Sequence, residues 1–256
     1  MDSKFSKYLL YAIGEIVLVV IGILIALQIN NWKETKKERA QEKAILSQVH
    51  TEFKSNLKQL DEKIDIRKRQ ITGAQDLLAF IDYPDSRVKD SIENALTYTI
   101  GYSTFDPIVN DLASAGSLRI IRNDSLKLLL SQWTSELVQV IESEQSWYKY
   151  RNEVYVPFLI ENTQLRTLRN AAMNRTFVGK FLIDVDNREA LDSRVDSIGN
   201  SAFSYDINVL LNNPDFEDHL TRCIVTNSIS NVQSYILRKR ILLILKILES
   251  ELDLKN

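Results

Sequence analysis

A nearly unbroken apolar run near the start of the chain, Tyr8 to Ile29 (YLLYAIGEIVLVVIGILIALQI), constrains everything that follows. At about 1.5 Å per residue it makes a helix about 33 Å long. That length crosses a hydrocarbon core of about 30 Å with a little tilt. The run is longer than the ~7–15-residue core of a signal peptide, and its end, ALQINNWKE, is a poor small-residue cleavage site. An uncleaved membrane anchor is therefore expected. Tyr8 and Tyr11 at one end and Trp32 at the other would stand at the two headgroup levels as an interfacial belt. The expected division is a short tail at 1–7, a transmembrane helix at 8–32 and one extramembrane domain at 33–256.

Glu15 is the most informative residue inside the run, because an intramembrane carboxyl is costly and is usually partnered, protonated or close to water. Ala12, Glu15, Gly22 and Ala26 share one helical face, and Gly22 with Ala26 forms a small-xxx-small pair that lets another helix approach. A helix–helix contact is expected there, most simply in a homo-oligomer. Two other readings stay open: Glu15 at the interfacial level merely setting depth, and a proton-conducting role. Orientation is contested within the sequence. Lys33, Lys36, Lys37, Arg39 and Lys43 after the run outnumber Lys4 and Lys7 before it, which by count keeps the domain in the cytoplasm. Long domains, however, translocate largely regardless of charge.

The string KYLLYAIGEIVLVVIGILIALQINNW, Lys7 to Trp32, closely resembles the hallmark N-terminus of an uncharacterised family of single-pass membrane proteins common in Bacteroidota, the domain of unknown function 6090. The resemblance continues through DLASAGSLRIIRNDSLKLLL, Asp111 to Leu130, and into the closing helix that starts at NNPDFEDHL. It implies an anchor, a helical domain and export across the bacterial inner membrane, with the C-terminal domain in the periplasm. It implies no activity.

Beyond the anchor, Leu, Ile and Val recur at spacings of three and four, with only seven Gly and four Pro in 256 residues. This predicts an all-α domain, a long-helix antiparallel bundle. Leu46, Val49, Phe53, Leu60, Ile64, Ile71, Ala74, Leu78 and Ile81 mark a stalk helix over 33–81. Gly73 is a candidate bend. Arg67 falls in the seam, which favours packing against the chain's own helices over an isolated coiled coil. Tyr83-Pro84-Asp85 ends the helix. Further helices are expected over Ser86–Thr99, from Pro107 to Ala115 with Gly116 as a left-handed closing residue, and from Asp124 to Val156 capped by Asn123 or Asp124. SLRII is expected as a short extended link.

In the Asp124 helix, Leu126, Leu129, Trp133, Leu137, Ile141, Trp147, Val154 and Phe158 form the expected buried stripe, with Glu142, Glu144, Lys149 and Arg151 wet and Pro157 as a stop or kink. Trp133, Trp147, Tyr148, Tyr150 and Tyr155 are expected in the core rather than as a ligand cage. Two or three short helices fit 157–213. Asn213-Pro214 opens a closing helix over 214–252. Its expected buried stripe is Val225, Ile229, Val232, Ile236, Leu243 and Ile247, and Ile241 to Leu245 is apolar all round.

Signals for chemistry are weak. His50 and His219 are isolated, and Cys223, the single cysteine, reads as a small core residue. No glycine cluster cradles phosphate and no GxSxG elbow is present. Asp184-Val-Asp186-Asn-Arg188 opens like a calcium loop but lacks Gly at position six and Glu at position twelve. Arg67-Lys68-Arg69 and Arg238-Lys239-Arg240 read as solvated faces. A net charge of −2 gives no global attraction to nucleic acid. No catalytic, metal or cofactor-binding residue is assigned, and no enzyme is expected. The leading expectation is a single-pass membrane protein with an interaction, scaffold or sensor domain, bound to the bilayer and to itself or a membrane-protein partner. The alternatives are an accessory subunit of a proton-driven complex using Glu15, and an enzyme whose site the sequence conceals.

Overall fold

The computed structural model describes residues 2–108, 115–173, 199 and 201–254; side chains are described from residue 14 onward, except at 115–117 and 171–173. Among the described residues the fold is entirely helical. The helices are α1 (Asp2–Asp82), α2 (Lys89–Thr99), α3 (Ala115–Ile120), α4 (Asp124–Tyr150), α5 (Val156–Asn162), α6 (Leu165–Met173), α7 (Ile207–Leu211) and α8 (Pro214–Glu251). The apolar run and the expected stalk are one helix. At about 1.5 Å per residue α1 is roughly 120 Å long. From Gly14 it contains a segment long and apolar enough to cross a membrane, none of it buried. Burial begins at Glu42.

From Leu46 onward α1 carries the core. Leu46, Val49, Phe53, Leu60, Ile64 and Ala74 are buried as the periodicity predicts, while Ile71, Leu78 and Ile81 are half-buried. Gly73 does not break the helix. A Cβ there would lie 2.8 Å from the Ala95 carbonyl oxygen and 3.0 Å from Tyr98 Cβ, so the glycine lets α2 approach closely. The long helices α1 and α4 run parallel, and α8 returns antiparallel to both. The pairs Asp61–Arg238, Arg67–Asn231, Glu136–Arg240 and Tyr150–His219 fix that register.

Two apolar clusters result. The one nearer the anchor joins Leu46, Phe53 and Leu60 to Leu126, Trp133, Leu137, Ile241, Ile244 and Leu248. The distal one joins Leu77, Leu96, Trp147, Tyr155, Leu159, Leu210, Phe216 and Cys223. By the ~25 cal/mol/Å² scale, each such fully buried large side chain contributes about 1.5–3 kcal/mol. Of the five aromatics expected in the core, Trp133, Trp147 and Tyr155 are in these clusters, whereas Tyr150 is half-buried and Tyr148 is exposed.

Several local expectations need correction. Helix α2 starts at Lys89, because Pro84–Ser86 forms a 3-10 turn after α1. Ala115–Ile120, expected to hold a closing glycine and an extended link, is helical through Gly116. Pro107 and Ile108 are not helical, and residues 109–114 of the expected short helix lie outside the described residues. Asn123 is the cap of α4, its Oδ1 accepting from the Leu126 N–H. Pro157 does not stop the chain. A π turn over Arg151–Tyr155, in which the Val156 N–H donates to the Arg151 carbonyl, carries the helix past it. The wider turn makes room for a residue that lacks an N–H and clashes with the carbonyl four residues back. The Asp184 to Val195 stretch lies outside the described residues.

The largest correction concerns α8. Val225, Ile229, Val232, Ile236 and Leu243, expected in the core, are 45–63% exposed, whereas Asn227, Ser230, Asn231 and Ser234 are buried. The cause is a buried cation on α1.

Candidate functional site

Arg67 replaces a hydrophobe in the α1 stripe between Ile64 and Ile71, and a long charged side chain is almost never fully buried unless paired. It is 1% exposed. Its partners come from three segments. Nε donates to Asn231 Oδ1 at 2.7 Å, one terminal nitrogen donates to Ser234 Oγ at 2.6 Å, and the other donates to Ser103 Oγ at 3.2 Å and to Glu144 Oε1. Glu144, expected on the wet side of α4, is buried. Its other oxygen accepts the Phe105 N–H at 2.6 Å. Register places Gln70, Asn227 and Ser230 one turn further along, and all three are buried. The polar layer thus separates the two apolar clusters.

Burial pushes the Glu144 carboxyl above its ordinary value, opposed by Arg67 and the Phe105 N–H. Burial lowers Arg67 in the same way, opposed by Glu144. A guanidinium does not deprotonate in proteins, so Arg67 stays charged and Glu144 is its counter-ion. With four hydrogen bonds to the cation and both carboxylate oxygens engaged, the layer is a lock rather than a reactive pair.

The lock holds the connection between α2 and α3 against the bundle. That segment is non-helical over 101–108, so its backbone groups need partners. Side chains supply them. Trp147 Nε1 donates to the Gly101 carbonyl at 3.1 Å, and Arg151 Nε donates to the Ile100 carbonyl. Gln59 Oε1 accepts the Asp106 N–H at 3.0 Å, and the Asn56 amide both accepts from the Ile108 N–H (2.8 Å) and donates to its carbonyl (3.1 Å).

The predicted anchor residues all lie on α1. Glu15, Gly22, Ala26 and Trp32 are exposed, and the side chains of Tyr8, Tyr11 and Ala12 are outside the described set. A Cβ at Gly22 would meet nothing. Lys36 Nζ sits 3.8 Å from the Trp32 ring centroid, a cation on the aromatic face one turn beyond the apolar run. At the base of the domain the buried Glu42 accepts the Arg122 N–H at 2.6 Å and Arg39 at 3.0 Å, tying α1 to the start of α4.

The remaining polar candidates are engaged structurally. Arg238 forks onto Asp61 and Arg240 onto Glu136. Of the two basic runs only Lys68 and Lys239 are exposed. His219 Nδ1 meets the Tyr150 hydroxyl at 2.7 Å, and His50 faces Glu249 at 3.5 Å. Cys223 is buried and its thiol is pushed up to about 12 by burial, a value at which it is not nucleophilic near neutral pH. Among the described residues no group of three His, Cys, Asp or Glu is placed to hold a metal.

Residues 15–130 match the model of a family of unknown function, DUF6090. Over these residues the chain is similar to that family. The matched stretch runs from Glu15 in the apolar segment through the stalk, Arg67 and the stitched 101–108 connection to the opening turns of α4. No curated protein and no solved structure matches the chain.

Sequence reasoning singled out Arg67 but missed Glu144, which lies on α4 among several carboxylates. A buried cation demands a counter-ion, and that demand was the one available signal.

Proposed function

We propose that the chain is a single-pass protein of the bacterial inner membrane whose helical domain is an interaction and scaffold module rather than an enzyme. The observation that carries this reading is α1. One uninterrupted helix joins the apolar segment to the centre of both cores, so the domain is held on a rod. From Trp32 to Glu42 that rod rises about 15 Å. Within the buried polar layer Arg67 and Glu144 are engaged by each other and by Asn231, Ser234, Ser103 and the Phe105 N–H, which supports a mechanical role for that pair, although both amide atoms of the neighbouring Gln70 are unpaired. In this reading the N-terminus is cytoplasmic, the domain is periplasmic, and the face of Ala12, Glu15, Gly22 and Ala26 meets another helix in the bilayer.

Two experiments test it. Protease added to intact spheroplasts should digest the domain, and protection until lysis would reverse the orientation. Affinity purification of the full chain in mild detergent should yield an oligomer or a membrane-protein complex; a strict monomer that turns over a small molecule would refute the scaffold reading.

A further inference from the structure

The exposed residues of α8 follow one heptad pattern. Asp218, Arg222, Val225, Ile229, Val232, Ile236, Lys239, Leu243, Lys246 and Ser250 succeed one another at alternating steps of four and three, and every one of them is exposed. The central part from Val225 to Leu243 is apolar except at Lys239, and its five apolar side chains are 45–63% exposed. This is the period of a coiled-coil seam, with β-branched residues at four successive positions.

We propose that this face of α8 pairs with the same face of a second copy of the chain, in a parallel, in-register coiled coil. The inference rests on the reading of the chain as membrane-tethered. Two copies that enter one bilayer with the same orientation carry their α8 helices in the same direction, so identical seams meet position by position. The apolar part is about 27 Å long on a helix about 10 Å wide, a footprint on the order of 300 Å² and short of the ~800 Å² per partner of a standard interface. Tethering makes up the difference, because confinement beside a partner raises effective concentration without any new contact. The occupant that arrives parallel, with matching period and already confined, is another copy.

The geometry separates this contact from the anchor face. The residues of α8 that meet α1, namely Asn231, Ser234 and Arg238, lie roughly 150° around the helix from the seam at 3.6 residues per turn. Pairing through the seam therefore places two α8 helices between the two α1 rods. At ~8–10 Å per helix spacing the anchors stand about 25–30 Å apart, leaving the Ala12–Ala26 face of each for a different helix.

Oxidative disulfide formation in native membranes, with the full-length chain, tests this. Wild-type protein should stay uncrosslinked because Cys223 is buried. Val232→Cys and Ile229→Cys should each give a covalent dimer severalfold above Leu128→Cys, an exposed position on α4. Gly22→Cys should stay at the control level. A monomeric Val232→Cys in the membrane fraction, or equal crosslinking at Leu128→Cys, would overturn the proposal. Crosslinking at Gly22→Cys alone would assign pairing to the anchors instead. Release of the wild-type chain from membranes by alkaline carbonate would refute the tether itself, an outcome separate from loss of the seam.

Discussion

The middle and the C-terminal part of α8 obey opposite rules. From Leu237 to Leu252 the helix buries Leu237, Ile241, Ile244, Leu245, Leu248 and Leu252, as an amphipathic helix should. From Val225 to Ile236 it buries Asn227, Ser230, Asn231 and Ser234 and exposes its branched aliphatics. The difference lies opposite, on α1. The C-terminal part faces Leu46 to Leu60, while the middle faces Arg67 and Gln70. One buried guanidinium makes a polar face the better core face, because an unpaired buried charge costs more than several exposed methyl groups gain.

Breaking the lock should therefore have the largest effect. Arg67→Ala leaves Glu144 buried without its counter-ion and should cost about 3–5 kcal/mol of stability, measured by chemical denaturation. Replacing both charges, as Arg67→Met with Glu144→Leu, should cost less than either single change. If the two losses simply add, the pair is not coupled and the contrast between the two stretches has another cause.

In the C-terminal stretch the loss should come from packing alone. Ile241→Ala should cost about 2–5 kcal/mol through lost burial and a residual cavity. Its cost should be additive with that of Arg67→Ala, since no partner is shared. Strong coupling between them would mean that the polar layer and the lower core are one unit.

The smallest effect belongs to the start of α8. Burial holds the His219 imidazole below its ordinary value. In the unfolded chain it titrates near 6.5, so its contribution is complete above that pH and is lost as pH falls toward the lower folded value. The stability difference between wild type and His219→Gln should be flat from pH 8 to 7 and should shrink below about 6.5. A difference that grows on acidification would contradict the burial of a neutral imidazole.

Much of this fold was legible because α1 and α4 follow the ordinary rule. Leu46 to Ile64 and Leu126 to Leu137 are buried as their spacing indicates, Asn123 caps as its side chain dictates, and the apolar run forms a helix long and apolar enough to cross a membrane. What sequence could not give was the face of α8. Its stripe of Val and Ile is as regular as that of α1, and periodicity reports that a face is apolar without saying what covers it. Glu144 was hidden for the complementary reason: a carboxylate on α4 looks solvated until the chain 77 positions upstream is folded against it. Pro157 does not stop the helix, because a π turn carries it past the proline, a local adjustment that a single residue's preference does not report.

The most direct test is an inter-copy distance measured by electron–electron double resonance on the full-length chain in lipid bilayers, spin-labelled at Val232→Cys and, separately, at Gly22→Cys. Cys223, buried with its thiol well above neutral pH, stays unlabelled. The account predicts a short distance at position 232, set by one helix spacing of about 8–10 Å, and a longer one of about 25–30 Å at position 22. No coupling at position 232, or a shorter distance at 22 than at 232, would contradict it.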